Sequence, residues 1–211
     1  MSRVRRIDGT DGECRNYYLV DSNFLANKHI AAKYAPAGRE RDRVVACHDW
    51  WSQVDAQLDT GHARVFVPDL CIAEAFKVLA KKYYTQGWFP NPASFSAAKR
   101  RLSLDVRTPN RMLRAQNRVV RFHDISTNRD IIVSVDRFFE LFHRHGKNVG
   151  IVDLILVATA KHLMDFYDIP KPYLHIVTLD TALREGIAKV TELPNAYDPT
   201  LRSHRADLVF E

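Results

Sequence analysis

The chain has three cysteines, Cys14, Cys47 and Cys71, among 211 residues. Their number is odd and no two stand in C-x-x-C spacing, which excludes a disulfide framework and a cysteine zinc site; all three are expected to be reduced. The chain also lacks an internal repeat or low-complexity tract. No apolar run suffices to span a bilayer, because the stretch around Asp153 is short and interrupted, so no membrane partner is expected. Arg3, Arg5 and Arg6 are followed by polar IDGTDGE and not by an apolar segment, so no secretory signal is predicted and the cytoplasm is the expected location. None of the nine histidines has the spacing of a metal site. A chain of this length can bury a substantial core as one domain, or as one domain with an elaborate insert.

What is present is a set of acids in apolar surroundings: Asp21 in YYLVDSNFLA, Glu74 in VPDLCIAEAFKVLA, Asp153 in VGIVDLILVATA and Asp180 in HIVTLDTAL. Tyr17 to Val20 is a short run of strand formers, which puts Asp21 at a strand's carboxyl end. His175 to Leu179 is also strand-like and a helical pattern follows, so Asp180 falls in a strand-to-helix connection, where open α/β sheets place their ligands. Glu74 belongs to a helix that opens near Pro68, with Ile72, Phe76, Leu79 and Tyr83 at helical spacing. Asp153 aligns on a helix with Leu156, Val157, Ala160 and Met164.

Each acid alone has an ordinary explanation. Asp21 and Asp180 suit turns or helix N-caps, Glu74 suits a solvated helix face, and Asp153 suits a helix start. As a set they demand more. Carboxylates about 4 Å apart repel by roughly 4 kcal/mol per pair at an effective dielectric near 20, so a fold that gathers four requires a cation.

In order and context these residues resemble the PIN-domain family of metal-dependent nucleases, which includes VapC-like toxins. Asp21 with Ser22 and Asn23 is similar to the family's first motif, and Glu74 to its helical Glu. Gly150, Asp153, Ala158 and Ala160 match its G-x-x-D helix, and Thr178 with Asp180 its T-x-D. The resemblance covers about residues 17–190. It leaves an N-terminal extension 1–16, helical insertions at about 28–62 and 84–117, and a C-terminal tail 194–211 on a single PIN-like domain. The segment RFHDISTNRDIIVSVDRFFELFHRHGKN resembles the family's third strand and following helix, with Thr127 and Asp130 at capping-box spacing. The fold implied is a three-layer α/β/α sandwich with a mainly parallel central sheet and an extra, largely helical basic insertion.

The resemblance implies an endoribonuclease that hydrolyses phosphodiester bonds to leave 5′-phosphate and 3′-hydroxyl ends. Asp21, Glu74, Asp153 and Asp180 would be both its catalytic residues and its metal ligands, with Ser22, Asn23 and Thr178 orienting ligands or water. Oxygen-only donors favour Mg²⁺ or Mn²⁺ over Zn²⁺. RNA is the expected substrate, with an antitoxin protein and a second copy of the chain as further candidate partners, although the added segments are long for a compact toxin. A non-catalytic PIN-like RNA-binding or scaffold protein is the alternative, and it would be expected to lose acids. A haloacid-dehalogenase-type phosphohydrolase ranks lower, because it needs a second Asp where Asn23 stands.

Charge is uneven. The whole chain carries a formal net of +6, but residues 81–121 hold ten basic residues against the single acid Asp105, a net of +9 that leaves −3 elsewhere. Lys99, Arg100, Arg101, Arg107, Arg111 and Arg114 are candidate nucleic-acid contacts, with Trp88 as a candidate base-stacking residue. Against this stand a solvated helix face for the cations and a small satellite core for Trp88 and its aromatic neighbours. Trp50, Trp51 and His48 are expected in a packed helix, and His143 and His145 at a helix end.

Overall fold

A computed structural model of the protein describes residues 15–107 and 122–201. Its centre is β1, Asn16–Val20, whose last four residues are buried in succession, the pattern of a strand covered on both faces. The other strands are β2, Ala63–Pro68; β3, His123–Ile125; β4, Leu174–Val177; and β5, Asn195–Tyr197. All pair in parallel in the order β3-β2-β1-β4-β5. Tyr18 stands opposite Val65 on one side and His175 on the other, so β1, β2 and β4 end almost level. Parallel neighbours require crossover connections, and helices supply them.

The helices are α1, Ser22–Lys28; α2, Arg39–Asp59; α3, Asp69–Tyr84; α4, Pro92–Arg107; α5, Arg129–Arg144; α6, Ile151–Tyr167; and α7, Thr181–Ile187. Helix α1 packs on α2 and α3, α3 on α4 and α6, and α5 on α6. The α/β architecture with a parallel sheet flanked by helices is the one expected. Trp50 and Trp51 are buried on α2 and meet Phe24 of α1 and Tyr18 of β1. His48 of the same helix bonds through Nε2 to the Asn27 carbonyl oxygen. Gly186 of α7 lies so close to the Phe142 ring of α5 that a Cβ there would overlap it. Among the described residues no helix is long and apolar enough to cross a membrane.

Two local expectations need correction. Helix α5 is capped by Asn128, whose side chain accepts from the Ile131 N–H at 2.9 Å. Thr127 is therefore not the cap, and among the described residues its hydroxyl has no hydrogen-bond partner; an Asn one residue later offers the better-placed acceptor. The segment beyond residue 194 does not start as a tail, because Asn195–Tyr197 adds β5 to the sheet edge. A three-residue edge strand has too little periodicity to be read from sequence.

Candidate active site

Asp21 follows the last residue of β1 and caps α1. Its Oδ1 accepts from the Phe24 N–H at 2.6 Å. Its Oδ2 accepts from the Thr178 hydroxyl and from the Leu179 N–H at 3.3 Å. The Asp21 N–H in turn donates to the Val177 carbonyl at 3.0 Å. The ordinary and the functional explanation of this residue thus coexist, since a helix cap also sits at the sheet's carboxyl edge. Asp21 is 3% exposed. Burial pushes its pKa up to about 7 against the hydrogen bonds from Thr178 and Phe24, and the charge of Asp153 adds to the rise.

The other acids arrive from three further elements. Glu74, half-buried on α3, accepts through Oε2 from the Ser22 hydroxyl at 2.6 Å, which ties the residue after Asp21 to the second acid. Asp153 lies in the first turn of α6, where its Oδ2 reaches back to the Gly150 N–H at 3.2 Å. Its pKa is raised to about 6 by burial first and then by Asp180, opposed by the Gly150 N–H, with Glu74 contributing further. Asp180 caps α7 by accepting from the Leu183 N–H at 2.8 Å. The fully buried Thr178 joins two of the acids: its hydroxyl donates to Asp21 and accepts from the Asp180 N–H at 3.0 Å.

At the carboxyl edge Asp153 feels the charges of Asp180 and Glu74, and Asp21 feels that of Asp153, so Asp153 links the four acids electrostatically. Ser22 and Thr178 hold hydrogen bonds within the cluster, while Asn23 is exposed. Cys71, buried on α3, lies in the same field; burial raises its thiol pKa, and Asp21, Glu74 and Asp153 add to the rise. Among the described residues, no group of three or more His, Cys, Asp or Glu stands close enough to hold a metal ion as placed. The hydrogen bonds give the physical reason. Each acid is turned toward its own donor: Asp21 to Phe24, Thr178 and Leu179, Glu74 to Ser22, Asp153 to Gly150 and Asp180 to Leu183. The donor set itself fits a hard divalent cation: four carboxylate side chains with hydroxyl neighbours and no imidazole.

Asp198 also ends a strand at this edge, though sequence analysis left it in the tail. It is 1% exposed, accepts from the Thr200 N–H and hydroxyl at 3.0 and 2.6 Å, and stands 3.9 Å from the Arg184 guanidinium. Its charge is thus taken up within its own corner of the fold.

The basic segment divides. Helix α4 buries Phe95, Ala98 and Leu102 and exposes Lys99, Arg100 and Arg107. Arg101 has a structural contact, donating to the His29 carbonyl at the end of α1 at 2.9 Å. Asp105 of α4 pairs with Lys28 at 3.3 Å. Arg111 and Arg114 lie outside the described residues. Trp88 is a correction: it is 7% exposed, with the Lys82 ammonium 3.3 Å from its ring centre, so it has no free face for a base. Phe89 and Phe95 join it in the core, where Tyr83 stacks on Phe95. These aromatics extend the main core and do not form a stacking platform or a separate satellite core.

Near the acids lie Lys77, which the sequence did not single out, and Lys82, which it placed only within the basic segment. Lys77 and Lys82 line a polar groove with Glu74 and Asn23. The signal was available for Lys77, which follows Glu74 by one helical turn.

Neither a protein-family model nor a curated protein matches the chain. Solved structures do resemble it at low identity over most of its length. FitAcB from Neisseria gonorrhoeae is 17% identical, with 86% of this chain and 97% of that chain covered and a TM-score of 0.47. VapBC2 from Rickettsia felis, bound to a DNA fragment from its promoter, is 13% identical over 86% and 99%, with a TM-score of 0.48. PAE2754 from Pyrobaculum aerophilum is 16% identical over 85% and 89%, with a TM-score of 0.40.

Proposed function

We propose that the protein is a PIN-type, metal-dependent endoribonuclease whose reaction centre is the carboxyl edge of the sheet. The observation that carries this reading is the gathering of Asp21, Glu74, Asp153 and Asp180 from four elements at one sheet edge, where Thr178 joins Asp21 to the Asp180 backbone and Ser22 reaches Glu74, and where burial pushes the Asp21 and Asp153 pKa values up to about 7 and about 6. Buried like charges with raised pKa values are the mark of a functional site more often than of a structural one. In this reading Asp21, Glu74 and Asp153 hold Mg²⁺ or Mn²⁺, and Asp180 joins directly or through water. The ion supplies Lewis acidity to water and to the phosphate when bound. The chain's own part is orientation: Thr178 fixes the Asp21 carboxylate and Ser22 fixes Glu74. The resemblance adds an antitoxin protein as a candidate partner. Helix α5 leaves Ile132, Val133 and Phe139 exposed, an apolar surface suited to a protein partner or a second copy of the chain.

A second reading, a non-catalytic RNA-binding protein of the same fold, has one observation in its favour, namely the exposed cations Lys99, Arg100 and Arg107 on α4, which could bind RNA without any chemistry at the acids. Asp153→Asn separates the two. On the nuclease reading it reduces Mn²⁺-dependent RNA cleavage at least a hundredfold, a loss of roughly 2.7 kcal/mol or more in transition-state stabilisation, while the fold persists. Cleavage undiminished in Asp153→Asn, or in wild type with excess EDTA, would sink the nuclease assignment.

A further inference from the structure

Glu74 shares its helix face with cations. Lys77 and Lys81 follow it at three and seven residues, and both are exposed. Together with Asn23, Lys82 and Gln86 they line a groove of about 250 Å³ that Glu74 also lines. Lys82 differs from its neighbours in being only 9% exposed. Its ammonium rests on the Trp88 ring, and among the described residues no carboxylate forms an ion pair with it. Burial lowers its pKa to about 8, with Glu40 opposing the fall. An ammonium kept on an aromatic face is held in place without being neutralised, so its field remains available to an anion. The location gives that field a purpose. Four carboxylates repel a nucleic-acid strand, and cations beside them offset that repulsion.

We propose that the α3 groove is a phosphate-binding subsite for single-stranded RNA. Lys77, Lys81 and the Trp88-supported Lys82 hold backbone phosphates next to the one at the four acids. The assignment rests on the nuclease reading in taking that acidic edge as the point of cleavage. Lys81 lies about 10 Å along the helix from Glu74, so the groove follows one strand away from the acids. Lysine suits this role as a point charge that accepts phosphates in varied geometry.

The test is anisotropy of a fluorescein-labelled single-stranded RNA in EDTA across a salt series, followed by cleavage kinetics in Mn²⁺. Lys77→Gln with Lys81→Gln changes two exposed residues. It is expected to weaken binding about tenfold and to lower the log-log salt slope by about 1.4, at about 0.7 per phosphate on a single strand. Lys82→Met, checked for folding by its melting temperature, is expected to lower the slope by about 0.7 more. An unchanged slope in the double variant overturns the proposal. So does wild-type cleavage whose KM the double variant leaves unaltered, and in that case the nuclease reading stands. Lysine-dependent RNA binding by a wild type that cleaves nothing keeps the phosphate site and removes the nuclease. Polyglutamate that displaces the RNA equally well per charge would show a general anion surface and overturn the phosphate assignment.

Discussion

Replacing Asp21 by Asn in the metal-free protein should make the protein more stable, and the effect should depend on pH. The rise of the Asp21 pKa from 3.8 to about 7 corresponds to ~4 kcal/mol of cost for holding the carboxylate ionised at pH 8. A raised carboxyl pKa means that the folded protein keeps its proton over a range where the unfolded chain has lost it. The contribution of Asp21 to stability is therefore greatest at low pH and falls as pH rises from about 4 through about 7. Asn removes that cost but supplies one acceptor where Asp has two. With its oxygen turned to Thr178 and Leu179, the amide group faces the Phe24 N–H and the α1 cap is lost, at about 1–2 kcal/mol. The net gain at pH 8 is ~2–3 kcal/mol, which for a chain of this size raises Tm by roughly 4–12 °C. Near pH 4 the gain should vanish or change sign. The assay is thermal unfolding by circular dichroism of both proteins in EDTA from pH 4 to pH 8.5. Adding Mn²⁺ should stabilise wild type at pH 8 and leave the variant where it was. An Asp21→Asn protein less stable than wild type at pH 8, or equally stabilised at every pH, would refute the argument that burial of this charge strains the fold.

Two further outcomes follow from the basic segment. Trp88→Ala should cost about 3–5 kcal/mol of folding stability in urea titrations, and a variant of unaltered stability with weakened RNA binding would return Trp88 to the nucleic-acid surface. Changing Lys99, Arg100 and Arg107 to Ser leaves the Arg101 contact to α1 in place, so it should keep the melting temperature. If α4 carries RNA, the same change should lower the salt slope of binding by about 2; a slope equal to that of wild type would mark α4 as a solvated face.

The sequence by itself carried the elements that hold the four acids and their order, though not the edge strand β5. Tyr17 to Val20 and His175 to Val177 are apolar runs of strand formers, and a parallel strand buried on both faces is written in sequence as such a run. The helices around Glu74 and Asp153 show their period directly. Asp21 and Asp180 were placed because a polar residue ending a buried strand has few other places to be. Long-range contacts were beyond this kind of reading. Nothing in the local pattern says that the Thr178 hydroxyl joins Asp21 to the Asp180 backbone, that Ser22 reaches Glu74, or that Arg101 spends its charge on the end of α1. Trp88 shows the limit most clearly. An aromatic in a basic segment has the same local signature whether it stacks on a base or on its own protein. Burial depends on what α3 and α4 place over it, and here that includes the Lys82 ammonium. Burial likewise turned ordinary carboxylates into Asp21 and Asp153, whose pKa values are raised, because desolvation and like-charge repulsion are properties of neighbours in space and not of neighbours in the chain.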